Sequence, residues 1–105
     1  MQTILIVLHA ERMSNPDLDI RYLLPERIEE YTNNSVKDNG YDYLSGTELG
    51  LWLEIENSAN NAEKIIQLIR TETFLENDLS KVAEIYISDE ECASFDKCRK
   101  IYPMK

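Results

Sequence analysis

A chain of 105 residues with 43% hydrophobic and 30% charged residues is the size of one ordinary domain. It can bury roughly two-thirds of the surface its unfolded form exposes, so a core needs neither disulfides nor metals. Three glycines and three prolines exclude a low-complexity linker, and two cysteines do not make a disulfide framework. Twenty acidic residues against eleven basic ones give a formal charge of -9, which repels nucleic acid and anionic lipid and favours basic partners.

The chain starts Met1-Gln2-Thr3-Ile4-Leu5-Ile6-Val7-Leu8-His9. With no basic segment before the apolar run and no small-residue cleavage site, this start reads as a strand rather than a secretory signal. No stretch approaches the ~18 apolar residues of a membrane span. The expected location is therefore the cytoplasm, with reduced thiols. Ile4 to Leu8 is an unbroken apolar run rich in β-branched residues, suited to a strand buried on both faces at a sheet centre.

Ser14-Asn15-Pro16-Asp17 is a helix-start pattern that Pro25 interrupts, and Pro25-Glu26 offers a second start. Leu24, Ile28 and Tyr31 then share one helical stripe, predicting a helix over 25–33. Asn33-Asn34-Ser35 matches a glycosylation sequon, incidental in a cytoplasmic chain. Asp38-Asn39-Gly40 marks a turn, and Tyr41-Asp42-Tyr43-Leu44 follows with aromatic strand formers. Ser45-Gly46-Thr47-Glu48 connects this arm to Leu49-Gly50-Leu51-Trp52-Leu53-Glu54-Ile55-Glu56, a hairpin signal. In the second arm the leucines and Ile55 alternate with Gly50, Trp52, Glu54 and Glu56, one set facing a core and the other water or a partner.

Asn60 and Glu63 form a capping-box pattern ahead of a helix striped by Ala62, Ile65, Ile66 and Ile69. Residues 82–88 alternate as a strand, with Ala83, Ile85 and Ile87 on one side and Glu84 and Tyr86 on the other. Ser88 with Glu91 repeats the capping-box pattern and predicts a short closing helix over 89–97. The order is that of a single α+β domain over 1–105. Its expected architecture is a ferredoxin-like split βαβ (βαββαβ) antiparallel sheet with two helices on one face and a short C-terminal helical tail; the competing architecture is another α+β sandwich with extra pairing by the tail.

The charge is unevenly placed. Residues 1–96 hold seven basic and twenty acidic residues, a net of -13, while Lys97, Arg99, Lys100 and Lys105 make the end basic. Between Lys37 and Lys64 every charged residue is acidic: Asp38, Asp42, Glu48, Glu54, Glu56 and Glu63.

No residue cluster amounts to a catalytic motif, and the chain is expected not to be an enzyme. His9, two residues before Glu11, could serve as a general base, but no nucleophile or second base accompanies it, so it reads first as a polar residue leaving a buried strand. Cys92 and Cys98 lie at a spacing that matches no common zinc-ligand pair. Cys98 precedes Arg99 and Lys100, neighbours that lower a thiol pKa, although lone cysteines are more often small buried hydrophobes. Glu29-Glu30, Glu54-x-Glu56 and Asp89-Glu90-Glu91 lack calcium-loop spacing, and isolated glycines at 40, 46 and 50 make no phosphate loop. Neither a metal nor a cofactor is expected.

One constellation remains. On the expected sheet the face away from the helices carries Trp52, Glu54 and Glu56 beside Glu84 and Tyr86, with Asp42 on the hairpin partner. Rigid aromatic anchors ringed by carboxylates suit an interface for a basic partner. The competing reading has residues 95–102 packing over Trp52 and covering that face.

The Leu49-Gly-Leu-Trp-Leu-Glu-Ile-Glu strand, the following Asn57-Ser-Ala-Asn-Asn-Ala-Glu-Lys-Ile-Ile segment, the acidic excess and the lack of an active site resemble a bacterial immunity protein. Such proteins are encoded beside polymorphic or contact-dependent growth-inhibition toxins. The resemblance implies a cytoplasmic antitoxin that binds a cognate, basic nuclease-type toxin domain, with no nucleic-acid or membrane partner, and it transfers no catalytic residue. Two other classes stay open. One is an acidic inhibitor that mimics nucleic acid; the other is a small enzyme or ligand-binding regulator using His9 and Glu11.

Overall fold

A computed structural model of the chain describes residues 2–13, 19–45, 48–55, 58–74, 77–90 and 94–102. These form an α+β fold with strands β1 (Gln2–His9), β2 (Val36–Ser45), β3 (Glu48–Ile55), β4 (Ala83–Ser88) and β5 (Arg99–Tyr102), and helices α1 (Ile20–Tyr31) and α2 (Ser58–Thr71). The strands make one open antiparallel sheet in the order β2-β3-β1-β4-β5.

β1 occupies the centre because its apolar residues can be buried on both sides. Ile4, Ile6 and Leu8 enter a core shared with Leu51, Leu53 and Ile55 of β3, Ile85 of β4, and both helices. Leu5 and Val7 point to the opposite face and are equally buried. Removing each such side chain from water contributes about 1.5–3 kcal/mol, and the alternating burial of β3 and β4 on either side selects the register over a one-residue slip.

α1 starts at Ile20, between the two start signals at 14–17 and at Pro25. Pro25 lies inside it, although proline removes one helical hydrogen bond and crowds the preceding turn. Ile20, Leu24 and Ile28, spaced by four, are all buried, so packing of this stripe outweighs the defect. The Ser14-Asn15-Pro16-Asp17 start lies outside the described residues. At the helix end Asn33 and Asn34 take positive φ values of 57° and 63°, a conformation asparagine tolerates better than most residues. Buried Thr32 then ties α1 to β2: its hydroxyl donates to the Ile28 carbonyl at 2.7 Å and accepts from the Val36 amide at 3.3 Å.

Asp38-Asn39-Gly40 is not a turn between elements but an irregularity inside β2, where pairing with β3 shifts between Asp38 and Tyr41. Gly40 adopts φ +98° there, and its amide donates to Asp38 Oδ1 at 3.0 Å. α2 begins at Ser58, so Asn60 lies within the helix rather than capping it. Its buried stripe is Ala62, Ile65, Leu68 and Ile69, with Ile66 half-buried beside it.

The expected C-terminal helix is corrected by the structure. Of residues 89–97, Asp89 and Glu90 form a bend after β4, residues 91–93 lie outside the described residues, and Phe95–Lys97 make one 3-10 turn. The Ser88 hydroxyl accepts the Glu90 amide at 3.1 Å, a local turn bond. Arg99–Tyr102 then pair with β4 as a fifth strand. The physical cause is the open edge of β4, whose backbone groups gain partners from any following segment able to lie extended. No helix of the described residues is long and apolar enough to cross a membrane.

Candidate functional site

Period-two alternation and antiparallel register together decide what meets on the open sheet face. β1 contributes Thr3, Leu5, Val7 and His9, which stand opposite Glu54, Trp52, Gly50 and Glu48 of β3. On the other side Leu5 stands opposite Tyr86, and Val7 opposite Glu84, of β4. Asp42 of β2 lies across from Gly50, and Lys100 of β5 across from Tyr86. Five expected contact residues, Asp42, Trp52, Glu54, Glu84 and Tyr86, thus share one face. Glu56 lies outside the described residues.

Trp52 and Tyr86 flank Leu5 to form an apolar row across the three central strands. The indole leans back over Gly50: a Cβ built there would sit 2.9 Å from Trp52 Cζ3, 3.1 Å from Cη2 and 3.3 Å from Leu5 Cδ1. The missing side chain at position 50 is therefore the seat of the ring, and it leaves Trp52 half-buried. The pattern Gly50-x-Trp52 on one strand face was the signal for this, since residues two apart are same-face neighbours.

His9 is the main addition to what the sequence displayed. It is only 7% exposed and is held among carboxylates from three elements. Nε2 lies 2.8 Å from Glu84 Oε1, and Nδ1 lies 3.3 Å from Glu48 Oε2 and 3.6 Å from Glu11 Oε1. A neutral imidazole donates at one nitrogen and an imidazolium at both, so protonation decides whether Glu48 and Glu84 can both accept from the ring. Glu11 was visible as a sequence neighbour; Glu84 and Glu48 reach His9 only through the pairing of β1 with β4 and β3.

Glu84 is the junction of the face. Besides His9 it meets Lys100 Nζ at 3.4 Å and the Tyr86 hydroxyl at 3.5 Å. Burial pushes its carboxyl pKa upward, but the hydrogen bond and charge of His9, followed by those of Lys100, outweigh burial and hold it below the ordinary carboxylate value. Burial, and then the charge of Glu84, push the Tyr86 phenol up. The Tyr86 ring also meets Phe95 edge-on, with centroids 5.0 Å apart and planes at 72°. The segment after residue 94 therefore touches the rim of the face at Tyr86 and Glu84.

At Cys98 the activated-thiol alternative gains no support. The thiol pKa is raised by burial, with Asp96 and Glu90 adding to the effect, and Sγ donates to the Ser94 carbonyl at 3.5 Å. Arg99 and Lys100 are chain neighbours whose charges this thiol does not register, because β5 pairing directs Lys100 toward Glu84. Cys92 lies outside the described residues. Among the described residues no three of His, Cys, Asp and Glu are placed to hold a metal ion. A groove of about 760 Å³ between α2 and β5, lined by Glu63, Ile66, Gln67, Arg70, Thr71, Ile101 and Tyr102, contains no nucleophile-base pair.

The arrangement offers a flat surface with aromatic anchors, carboxylates on both flanks and one buried histidine tying two of those carboxylates to the sheet. Comparison of the chain with protein-family models, curated proteins and solved structures finds no match.

Proposed function

We propose that this chain is a binding protein, not an enzyme, and that its open sheet face receives a basic protein partner. In its specific form the reading is an immunity protein acting in the cytoplasm as the antitoxin of a cognate, nuclease-type toxin domain. The observation that carries it is the cross-strand row Trp52–Leu5–Tyr86 with Asp42, Glu54 and Glu84 around it. Aromatic side chains are the commonest anchors of protein interfaces, and surrounding carboxylates raise the encounter rate with a cationic partner while rejecting anionic ones. The finer architecture belongs to the same proposal: β1, α1, β2, β3, α2 and β4 make a ferredoxin-like βαββαβ unit, to which β5 is added at the outer edge of β4. The five-strand order then differs from the simple four-strand arrangement by that one addition.

The test is charge reversal on the exposed flank, Asp42→Lys with Glu54→Lys, measured against the toxin domain encoded beside this chain. Neither residue belongs to the core, so folding is retained. Affinity is expected to fall at least roughly ten-fold and its dependence on salt to weaken. Unchanged affinity with unchanged salt dependence would place the interface elsewhere.

The His9–Glu84 pair at 2.8 Å supports a second reading, a small enzyme or ligand-binding regulator built on His9. His9→Ala would abolish the activity of such an enzyme, whereas in an antitoxin it would weaken toxin binding only through the released Glu84 carboxylate.

A further inference from the structure

The end of the chain carries the chemistry that the open face is built to receive. Residues 97–105 hold Lys97, Arg99, Lys100 and Lys105 and no acid, against a net of -13 in residues 1–96. Two side chains of the stretch Phe95–Tyr102, which holds Lys97, Arg99 and Lys100 against the single acid Asp96, already engage the face: the Lys100 ammonium at Glu84 and the Phe95 ring on Tyr86. One is a cation on a carboxylate and the other an aromatic edge on an aromatic ring, the two contacts expected of a basic partner at the same residues.

Resting on the reading of that face as a contact surface, we infer that segment Phe95–Tyr102 is a built-in occupant of its β4 side. A basic partner presenting its own cation and aromatic group displaces the segment from Glu84 and Tyr86. The segment is attached lightly enough for this. β5 has four residues, pairs with β4 at Ile85, Tyr86 and Ile87 across a register shift, and keeps Phe95, Arg99 and Lys100 exposed. Its anchors, the packing of Ile101 and Tyr102 against the core and the Tyr102 hydroxyl donating to the Ser80 carbonyl at 3.0 Å, lie beyond the residues that meet the face. Phe95 and Lys100 can therefore lift away while Tyr102 stays tethered. The occupant screens Glu84 when no partner is bound, so weak polycations meet competition from within the chain.

Octa-arginine amide serves as the probe. Its dissociation constant is measured by NMR titration of the Trp52 indole and Glu54 amide signals in the native chain, Lys100→Gln, Lys97→Gln and Phe95→Ala. Lys97→Gln removes the same charge from the same segment without touching Glu84, so it isolates the contact from the general field. The inference expects Lys100→Gln to bind roughly two- to five-fold more tightly than Lys97→Gln, Phe95→Ala to bind more tightly than the native chain, and amide exchange at Arg99 and Lys100 to accelerate when the probe binds the native chain. Equal affinities for the two lysine variants, or a probe that moves Trp52 and Glu54 while leaving exchange in β5 unaltered, overturns the inference and leaves the contact face standing. If the probe moves neither Trp52 nor Glu54 in any variant, the face itself fails and the inference falls with it. Unchanged Leu53 and Ile85 signals certify the sheet in every variant.

Discussion

On its helix-covered face β1 sets Ile4, Ile6 and Leu8 among side chains from both helices, and on its open face the same strand sets Leu5 and Val7, which are buried just as completely. The means of burial differ. On the first face a second layer of secondary structure excludes water. On the second, one layer of side chains does so, with Trp52 leaning over Gly50 beside Leu5 and Tyr86 standing on the other flank. A covered face can be uniformly apolar. An uncovered one must end in polar groups, which is why the aromatic row is bounded by Glu48, His9 and Glu84 on one side and by Thr3, Glu54 and Ser88 on the other. The contrast teaches that depth of burial alone does not separate the core from the open sheet face; what lies above the buried residue does.

The largest effect that can break this comparison is cavity formation. Ile6→Ala should cost about 2–5 kcal/mol in urea unfolding, the range for a large core side chain held on both sides. Leu5→Ala should fall near the lower end of that range, because the indole above it belongs to a single layer and can settle into the space. Equal losses would mean that the open face is as rigidly packed as the core.

A smaller effect sharpens the polar boundary. The Glu84 carboxyl titrates below its ordinary value in the folded chain, because His9 and then Lys100 together outweigh the opposing effect of burial. Its contribution to stability is therefore fully present above the unfolded carboxylate pKa of about 4.3 and is lost as pH falls through the lower folded value. Native chain and Glu84→Gln should differ most near neutrality, and the gap should close on acidification. A gap that widens in acid would reverse the sign assigned to this cluster.

The smallest effect on stability addresses the ring itself. Gly50→Ala puts a methyl group where the indole rests, 2.9 Å from Trp52 Cζ3, so the ring must shift. Stability should change by no more than about 1 kcal/mol, while Trp52 emission shifts to the red as the ring swings into water. Unaltered emission would show that the ring does not depend on Gly50.

Much of the architecture was legible along the chain. The alternation in Leu49 to Ile55 and in Ala83 to Ile87 assigns the faces of β3 and β4, and the Ile4–Leu8 run marks the central strand. The same alternation already grouped Trp52 and Glu54 on one side and Glu84 and Tyr86 on another. Local signals failed where a distant contact outweighed them. Pro25 reads as a helix start but sits inside α1, because Ile20 and Leu24 before it are buried with Ile28 after it. Ser88-x-x-Glu91 reads as a helix cap, yet the chain beyond it pairs as a strand, because β4 offers an open edge.

By itself the sequence determined the types of the elements from β1 to β4, the placement of apolar and polar faces along β3 and β4, and the division between an acidic body and a basic end. All of these depend on spacings of two to four residues or on composition, and need no knowledge of the rest of the chain. Tertiary structure alone decided that His9 lies between Glu84 and Glu48, 75 and 39 positions away in the chain. It also decided that Gly50 seats the Trp52 ring and that the basic end reaches Glu84 and Tyr86. The physical reason is register. Which residues stand opposite one another is chosen by the burial of every strand at once, a quantity that no local stretch of sequence contains.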